Sequence, residues 1–156
     1  MNKKRWQAGL CILGLAILLG LPSMTLAAVP NLMGVWTGTV PSITTDGCSN
    51  VSVNLAITHE CFNQVSGNLL VAGNVIFGSS APIPVTGGIA GVENTNPWLN
   101  LNGFITSTTG FTSINLSGNY VTGNIPSITI QNVNFGGNFA TQSIQYDSFV
   151  LVKQQQ

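Results

Sequence analysis

Residues 99–105 read LNLNGFI, and this stretch decides the fold. Leu99 and Leu101 alternate with asparagines, which is the period-two pattern of a β-strand that has one face in water. Gly103 then stands where the pattern calls for a third apolar residue on the buried face. Glycine in the middle of a strand weakens it, so a pattern of this kind needs a structural reason if it recurs.

The pattern does recur along the chain. An apolar residue, a glycine and a second apolar residue share one parity in Trp36/Gly38/Val40, Val65/Gly67/Leu69, Val85/Gly87/Ile89, Leu101/Gly103/Ile105, Leu116/Gly118/Tyr120 and Phe135/Gly137/Phe139. We expect each of these glycines to face the core in mid-strand. Closing a few short strands into a narrow barrel requires sharp bends that glycine permits. The glycines therefore predict a closed barrel, and the alternative is a β-sandwich in which they form bulges.

Alternation and turn-forming residues predict the other strands. Strands are expected near residues 34–40, 51–58, 64–72, 84–91, 99–105, 114–120, 126–131, 133–140 and 144–152. The polar residues are mostly Asn, Ser, Thr and Gly, a composition that disfavours helix. The prediction is an all-β domain, an antiparallel up-and-down meander of about eight strands closed into a small barrel.

The N-terminus has the layout of a bacterial-type signal peptide. A basic start at Lys3–Arg5 precedes an apolar run over 6–21, which Pro22 ends before a stretch of small residues. We expect residues 1–27 to be removed during export, so that the chain contacts a membrane only at that step. Residues 28–156 are then a single domain that is secreted, periplasmic or otherwise in the cell envelope.

The charges of the exported part exclude an electrostatic nucleic-acid binder. Beyond residue 27 the only basic residue is Lys153, against the carboxylates of Asp46, Glu60, Glu93 and Asp147, so the net charge is −3. A single lysine offers almost nothing to a phosphate backbone. We therefore expect no nucleic-acid partner.

Catalytic motifs are absent from the sequence. The only histidine, His59, is followed by Glu60, and neighbouring residues of a strand face opposite sides, which prevents them from sharing a metal ion. There is no nucleophile elbow, no phosphate-binding loop and no cluster of metal ligands. We expect no enzymatic activity, no catalytic residues, no metal and no cofactor.

Cys48 and Cys61 remain after export into an oxidising compartment, where a pair of cysteines usually forms a disulfide. If residues 51–58 form one strand, that strand alone covers roughly 23 Å, whereas a disulfide needs Cα atoms within about 7 Å. The sequence favours an internal Cys48–Cys61 disulfide, which needs either flanking loops that fold back or a bent strand. Another partner for each cysteine stays open.

Four segments resemble a known group of proteins. NLMGVWTG (residues 31–38) resembles the glycine-x-tryptophan first strand of lipocalins and avidins, small up-and-down barrels that bind ligands inside. NQVSGNLL (63–70), IPVTGGIAG (83–91) and YDSFVLVK (146–153) resemble the third, fourth and last strands of avidins, in the same order. The resemblance implies the barrel topology.

The resemblance does not extend to most of the biotin-binding residues of avidins. Ser42 and Asp147 are compatible with the avidin pattern, but Gly38 and Leu69 stand where it has hydrogen-bonding side chains, and most of the tryptophans are missing. Each unpaired polar group of a buried ligand costs about 1 to 3 kcal/mol. We expect no tight biotin binding.

The favoured function is a non-enzymatic binding module that holds a small, largely apolar ligand inside the barrel. The candidate ligand-binding residues are Trp36, Ser42, Phe104, Tyr120, Phe139 and Asp147. One alternative is a structural or adhesive surface protein that associates into homo-oligomers, because uncharged strands discourage edge-to-edge pairing only weakly. The other alternative is an outer-membrane barrel, since short alternating strands are also its sequence pattern.

Overall fold

The computed structural model describes residues 30–44, 47–90, 96–108, 110–137 and 145–155. These residues form the strands β1 (Gly34–Thr44), β2 (Gly47–Asn63), β3 (Asn68–Phe77), β4 (Ile83–Ala90), β5 (Trp98–Ser107), β6 (Gly110–Val121), β7 (Ser127–Gly137), β8 (Gln145–Tyr146) and β9 (Phe149–Lys153). The described secondary structure is entirely β-strand, so the all-β prediction is confirmed. Within these ranges the chain forms no helix with the length and hydropathy of a membrane span. The predicted signal peptide, residues 1–27, lies outside the described residues.

The strands close into a barrel. Each strand from β1 to β6 pairs antiparallel with the next, β9 pairs with both β7 and β1, and this returns the sheet to its start. Eight strands make the barrel, and the two-residue β8 extends it beside the second half of β1. The predicted up-and-down barrel is confirmed, and the sandwich alternative is wrong.

Alternation places the apolar side chains inside. Leu99 and Leu101 of β5 are fully buried, while Asn100 and Asn102 between them are exposed. The largest fully buried side chains include Trp36, Leu32, Leu55, Ile89, Leu99, Leu101, Leu116, Ile128, Ile130 and Leu151. Each such side chain contributes about 1.5 to 3 kcal/mol by leaving water. The core therefore draws on nearly every strand.

Glycines allow the strands to approach each other closely. A Cβ atom at Gly38, Gly87 or Gly118 would collide with a carbonyl oxygen of the neighbouring strand, and at Gly103 it would press into Ile114. These four glycines lie in mid-strand, as the sequence predicts. Only a hydrogen-only side chain fits there, because the strongly coiled sheet brings the next strand over the position.

The other two glycines of the pattern lie elsewhere. Gly67 is in the turn between β2 and β3 with a φ of 70°, so its predicted core position is wrong. The preceding Val65 is 98% exposed, which shows that this copy of the pattern spans a turn. Gly137 ends β7 with a φ of 76°.

β-Bulges shift the side-chain parity at two places. In β7 the partners change from Gly118–Ile130 to Ser117–Asn132, which leaves Gln131 as an extra residue. The prediction of two separate strands over 126–140 is wrong for the described part, because this bulge lets one strand continue. A second bulge at Thr58 separates the Ile57–Gly73 pair from the His59–Ala72 pair in β2 and β3.

The segment before β1, residues 30–33, forms a strap against the end of the barrel where β1 begins. Its Leu32 is fully buried, and the Trp36 indole N–H donates to the Leu32 carbonyl oxygen at 2.8 Å. The Glu60 carboxylate accepts hydrogen bonds from the backbone N–H groups of Leu32 and Met33, at 3.0 and 3.2 Å. Lys153 Nζ donates to the Asn31 carbonyl oxygen at 2.9 Å. Two of the few charged side chains are therefore occupied in holding this strap.

Candidate functional site

Trp36 and Tyr120, predicted to line an internal ligand site, are packed against each other. Their rings meet edge to face with centroids 6.2 Å apart. Trp36 is fully buried, and Lys153 Nζ lies 5.4 Å from the centre of its ring. Tyr120 is 3% exposed. The two rings fill core space here, and the Trp36 indole N–H already has its partner in the strap.

Phe104 lies on the outside of the barrel, so its predicted place on an inner wall is wrong. Its side chain is 57% exposed and stacks on Phe111, with the ring centroids 5.7 Å apart and the planes 24° apart. The reason is strand parity. Gly103 faces the core, so the next residue must point outward.

Of the remaining predicted ligand residues, Asp147 does not join Trp36 and Tyr120. Asp147 is exposed between β8 and β9, where its Oδ1 accepts a hydrogen bond from the Ser148 N–H at 2.7 Å. Ser42 lies in β1, opposite Ser49 of β2 and Tyr146 of β8. Phe139 lies outside the described residues.

The two cysteines cannot form a disulfide within one chain. Both are free and exposed, and both lie in the single strand β2. The thirteen residue steps from Cys48 to Cys61 along this extended strand correspond to roughly 40 Å, far beyond the reach of a disulfide. The favoured internal pairing is wrong, because β2 extends through both cysteines and leaves no loop to fold back.

His59 and Glu60, the neighbouring pair considered from the sequence, each have a separate partner. His59 Nδ1 lies 2.9 Å from Thr58 Oγ1, and the neighbouring Glu60 carboxylate binds the strap. Among the described residues, no group of three His, Cys, Asp or Glu side chains converges on one point.

The outward side chains of β5, β6 and β7 form a polar surface, which we call the amide face. It carries Asn100 and Asn102 of β5, Asn115 and Asn119 of β6, and Asn132 and Asn134 of β7. Asn102, Asn115 and Asn134 lie side by side in cross-strand register. No charged residue belongs to this face in the part of the chain that the structure describes.

Hydrogen bonds order the β5 and β6 part of the amide face. Asn115 Nδ2 donates to the side-chain oxygens of Asn102 and Asn100, at 2.9 and 3.2 Å. Asn102 Nδ2 also donates to Asn100 Oδ1, at 3.0 Å. Farther along, Gln131 Nε2 donates to Asn119 Oδ1 at 2.9 Å. These bonds fix the orientation of amides that would otherwise rotate freely in water.

A groove of about 430 Å³ opens on this face. Its lining includes Asn102, Ser113, Asn115, Asn134, Phe135 and Gly136. Next to the three paired asparagines, a second set of cross-strand neighbours consists of Phe104, Ser113 and Gly136. The groove exists because Gly136 has no side chain to fill the space there. Its volume is within the range of small-molecule sites, which is roughly 300 to 1,000 Å³.

Exposed aromatic rings stand at both ends of the β5 side of the face. Trp98, 39% exposed, begins β5, and the stacked Phe104 and Phe111 lie near its other end. Sequence reasoning missed this surface because it assigned Phe104 to the interior. Counting parity forward from Gly103 puts Phe104 on the same side as Asn100 and Asn102 and finds the face from the sequence alone.

Comparison of the chain with protein-family models, with curated proteins and with solved structures found no significant match. The strand pairing establishes a closed antiparallel up-and-down barrel, and the hydrogen bonds among its outer asparagines give it an ordered amide face.

Proposed function

We propose that this protein is a secreted, non-enzymatic binding module whose ligand lies in the groove of the amide face. The observation that carries the proposal is the groove of about 430 Å³, set among oriented amides and flanked by exposed aromatic rings. Exposed aromatic side chains beside positioned polar groups are typical of binding surfaces. Export rests on the signal peptide that the sequence predicts over residues 1–27.

The outer groove fits the observations better than an internal apolar site. The interior residues predicted for that site, Trp36 and Tyr120, pack on each other and on the strap. The similarity to avidins and lipocalins thus contributes the barrel topology to this proposal and not the place of the ligand. An outer-membrane barrel would need an apolar outer surface, whereas the outward side chains of β5 to β7 are mostly amides and hydroxyls.

A groove-filling variant tests the proposal. Gly136→Gln fills the groove, and Ser113→Ala removes the hydroxyl that the new Cβ atom would meet at 2.5 Å. The matched control is Gly123→Gln, at an exposed position whose nearest neighbour for a new Cβ is 3.7 Å away. The exported chain is screened by calorimetry and mass spectrometry against apolar compounds, peptides and oligosaccharides.

We expect any compound that binds the wild type to lose most of its affinity for the double variant and to keep it for the control. A compound that binds both equally, and that changes the fluorescence of the buried Trp36 when Trp98 is replaced by Phe, would place the ligand inside the barrel and contradict the proposal.

A second candidate function is self-association into a structural assembly. It is favoured by Cys48 and Cys61, which are exposed, free and far apart on β2. In an oxidising compartment each thiol can join a thiol of another copy: one S–S bond forms, and two protons and two electrons leave to an oxidant such as oxidised glutathione. Two such points on each chain allow polymers.

Single-cysteine variants test this candidate. With oxidised glutathione, the wild type should give a ladder of linked species on a non-reducing gel, whereas Cys48→Ser and Cys61→Ser should each stop at the dimer. A wild type that stays monomeric, with free thiols or with glutathione on each cysteine, would contradict it.

A further inference from the structure

We infer that the ligand of the amide face is a neutral polysaccharide, which runs along β5 between Trp98 and the Phe104–Phe111 pair. This inference rests on the proposed function and adds the chemical class of the ligand. The three observations that carry it are the absence of charge, the arrangement of the amides and the position of the aromatic rings.

The amide face carries no charged side chain among the described residues, and this favours an uncharged ligand. The charged side chains that the structure describes, Glu60, Asp147 and Lys153, lie on β2, before β9 and on β9. None of them is on the amide face. A phosphorylated, sulfated or carboxylated ligand would have to leave water without a counter-charge, which is costly.

The amides match hydroxyl groups. A carboxamide offers donors and an acceptor side by side, and a sugar hydroxyl also donates and accepts. Asn115 and Asn102 are held by their mutual hydrogen bond, so they lose little freedom on binding. In the described part of the chain, the Asn134 amide across the groove makes no hydrogen bond. Both its donor and its acceptor therefore face solvent and are available to a ligand.

The aromatic rings match the other surface of a sugar. A pyranose ring presents C–H groups on its faces and hydroxyls around its rim, so the face of an aromatic ring packs on it without desolvating a polar group. Trp98 and Phe104 are six residues apart in one strand, which corresponds to roughly 20 Å. That distance accommodates several sugar rings in a row, with Asn100 and Asn102 between the two aromatic ends and the groove beside Phe104 on β6 and β7.

Strand pairing argues against a peptide as the occupant. Extended peptides commonly bind by adding a strand to a free sheet edge. β5, β6 and β7 are each paired on both sides in the closed barrel, so their backbone groups are already used. A ligand of this face must be recognised through side chains, as a chain of sugars can be.

Affinity electrophoresis of the exported chain in gels that contain a soluble polysaccharide tests the inference. The probes are hydroxyethyl cellulose, soluble starch, glycol chitin and a β-1,3-glucan, with alginate as the anionic counterpart. We expect at least one neutral polymer to retard the wild type and alginate not to. Phe104→Ala and Trp98→Ala should each weaken that retardation about tenfold. Phe62 is an exposed aromatic residue on β2, and Phe62→Ala should leave the retardation unchanged.

Three outcomes would overturn the inference. The first is retardation by alginate alone, and the second is neutral-polymer binding that Phe104→Ala and Phe62→Ala weaken equally. The third is the absence of any polysaccharide binding, with Phe104→Ala instead abolishing a dimer seen by sedimentation, which would make the face a contact between copies. If a non-sugar compound binds and the groove-filling variant abolishes its binding, the proposed function stands and the sugar assignment fails. Circular dichroism and thermal unfolding of each variant verify that these exposed substitutions leave the fold intact.

Discussion

At the scale of single residues, the two tryptophans of the described chain have opposite roles. Trp36 is fully buried, packs on Tyr120 and donates its indole N–H to the strap. Trp98 is 39% exposed at the start of β5. Tryptophan contributes strongly to cores and to interfaces, and this chain has one tryptophan in the core and one on the outer face.

This difference predicts unequal effects of the same substitution. Trp36→Phe leaves the Leu32 carbonyl oxygen without its partner and opens space in the core, so we expect the free energy of unfolding to fall by about 2 kcal/mol or more. Trp98→Phe, the matched control, should change it by no more than about 0.5 kcal/mol. Urea unfolding followed by circular dichroism measures the free energy of unfolding of both variants. Equal losses in the two variants would contradict the stabilising role of the buried Trp36.

At the scale of elements, close strand approach is what the mid-strand glycines permit. Gly87→Ala puts a Cβ against the carbonyl oxygen of Asn100 in β5. Neither the new Cβ atom nor the carbonyl oxygen can rotate away, because both are fixed directly by the strand backbone. The two strands must therefore separate, and we expect a loss of at least about 2 kcal/mol of stability. Gly123→Ala, in an open bend, should be within about 0.5 kcal/mol of wild type. Thermal unfolding of the pair is the measurement, and a tolerated Gly87→Ala would contradict the tight coiling of the sheet.

The bulge in β2 changes the direction in which the Glu60 side chain points. Beyond Thr58 the register shift sets Glu60 opposite Val71, whose side chain faces the core, so the carboxylate can reach the strap. Glu60→Ala removes the acceptor for two backbone N–H groups, and we expect a loss of about 1 to 2 kcal/mol. Hydrogen exchange at Leu32 and Met33 should accelerate, Glu60→Gln should restore part of the protection, and Asp147→Ala should leave it unchanged. Unaltered exchange in Glu60→Ala would show that the strap is held by Leu32 and Lys153 without it.

These elements also show which parts of the structure the sequence could predict. Alternation predicts strands such as β5 and β2 from stretches like residues 99–102 and 51–55, where the inward residues are apolar and the outward ones polar. Alternation fails at bulges, because an extra residue such as Gln131 reverses the inward and outward parity and nothing in the sequence marks the position. Counting strand parity could have predicted the amide face. It could not have predicted the groove, because the groove depends on the cross-strand register that places Gly136 of β7 beside Ser113 of β6.

At the scale of the whole molecule, the barrel depends on its short last strand. β9 has five residues, yet it joins β7 to β1 and thereby closes the sheet. Its side chains alternate strictly, with Phe149 and Leu151 buried and Val150 and Val152 exposed. Closure removes the free edges that would otherwise pair with other copies, and it is also what holds β5 to β7 as a continuous curved platform.

Leu151→Ala tests this dependence on closure. Leu151 is fully buried between the strands that meet at the closure, so we expect its truncation to cost about 2 to 5 kcal/mol. Val152→Ala removes a comparable side chain from the outer face of the same strand and should cost less than about 0.5 kcal/mol. Because the sheet is continuous through β9, amide exchange should rise together in β1 and β7 of Leu151→Ala, and aggregation should rise with it. Faster exchange confined to β9 would mean that the other seven strands form a stable open sheet, and the barrel would then not need its last strand to keep the amide face in shape.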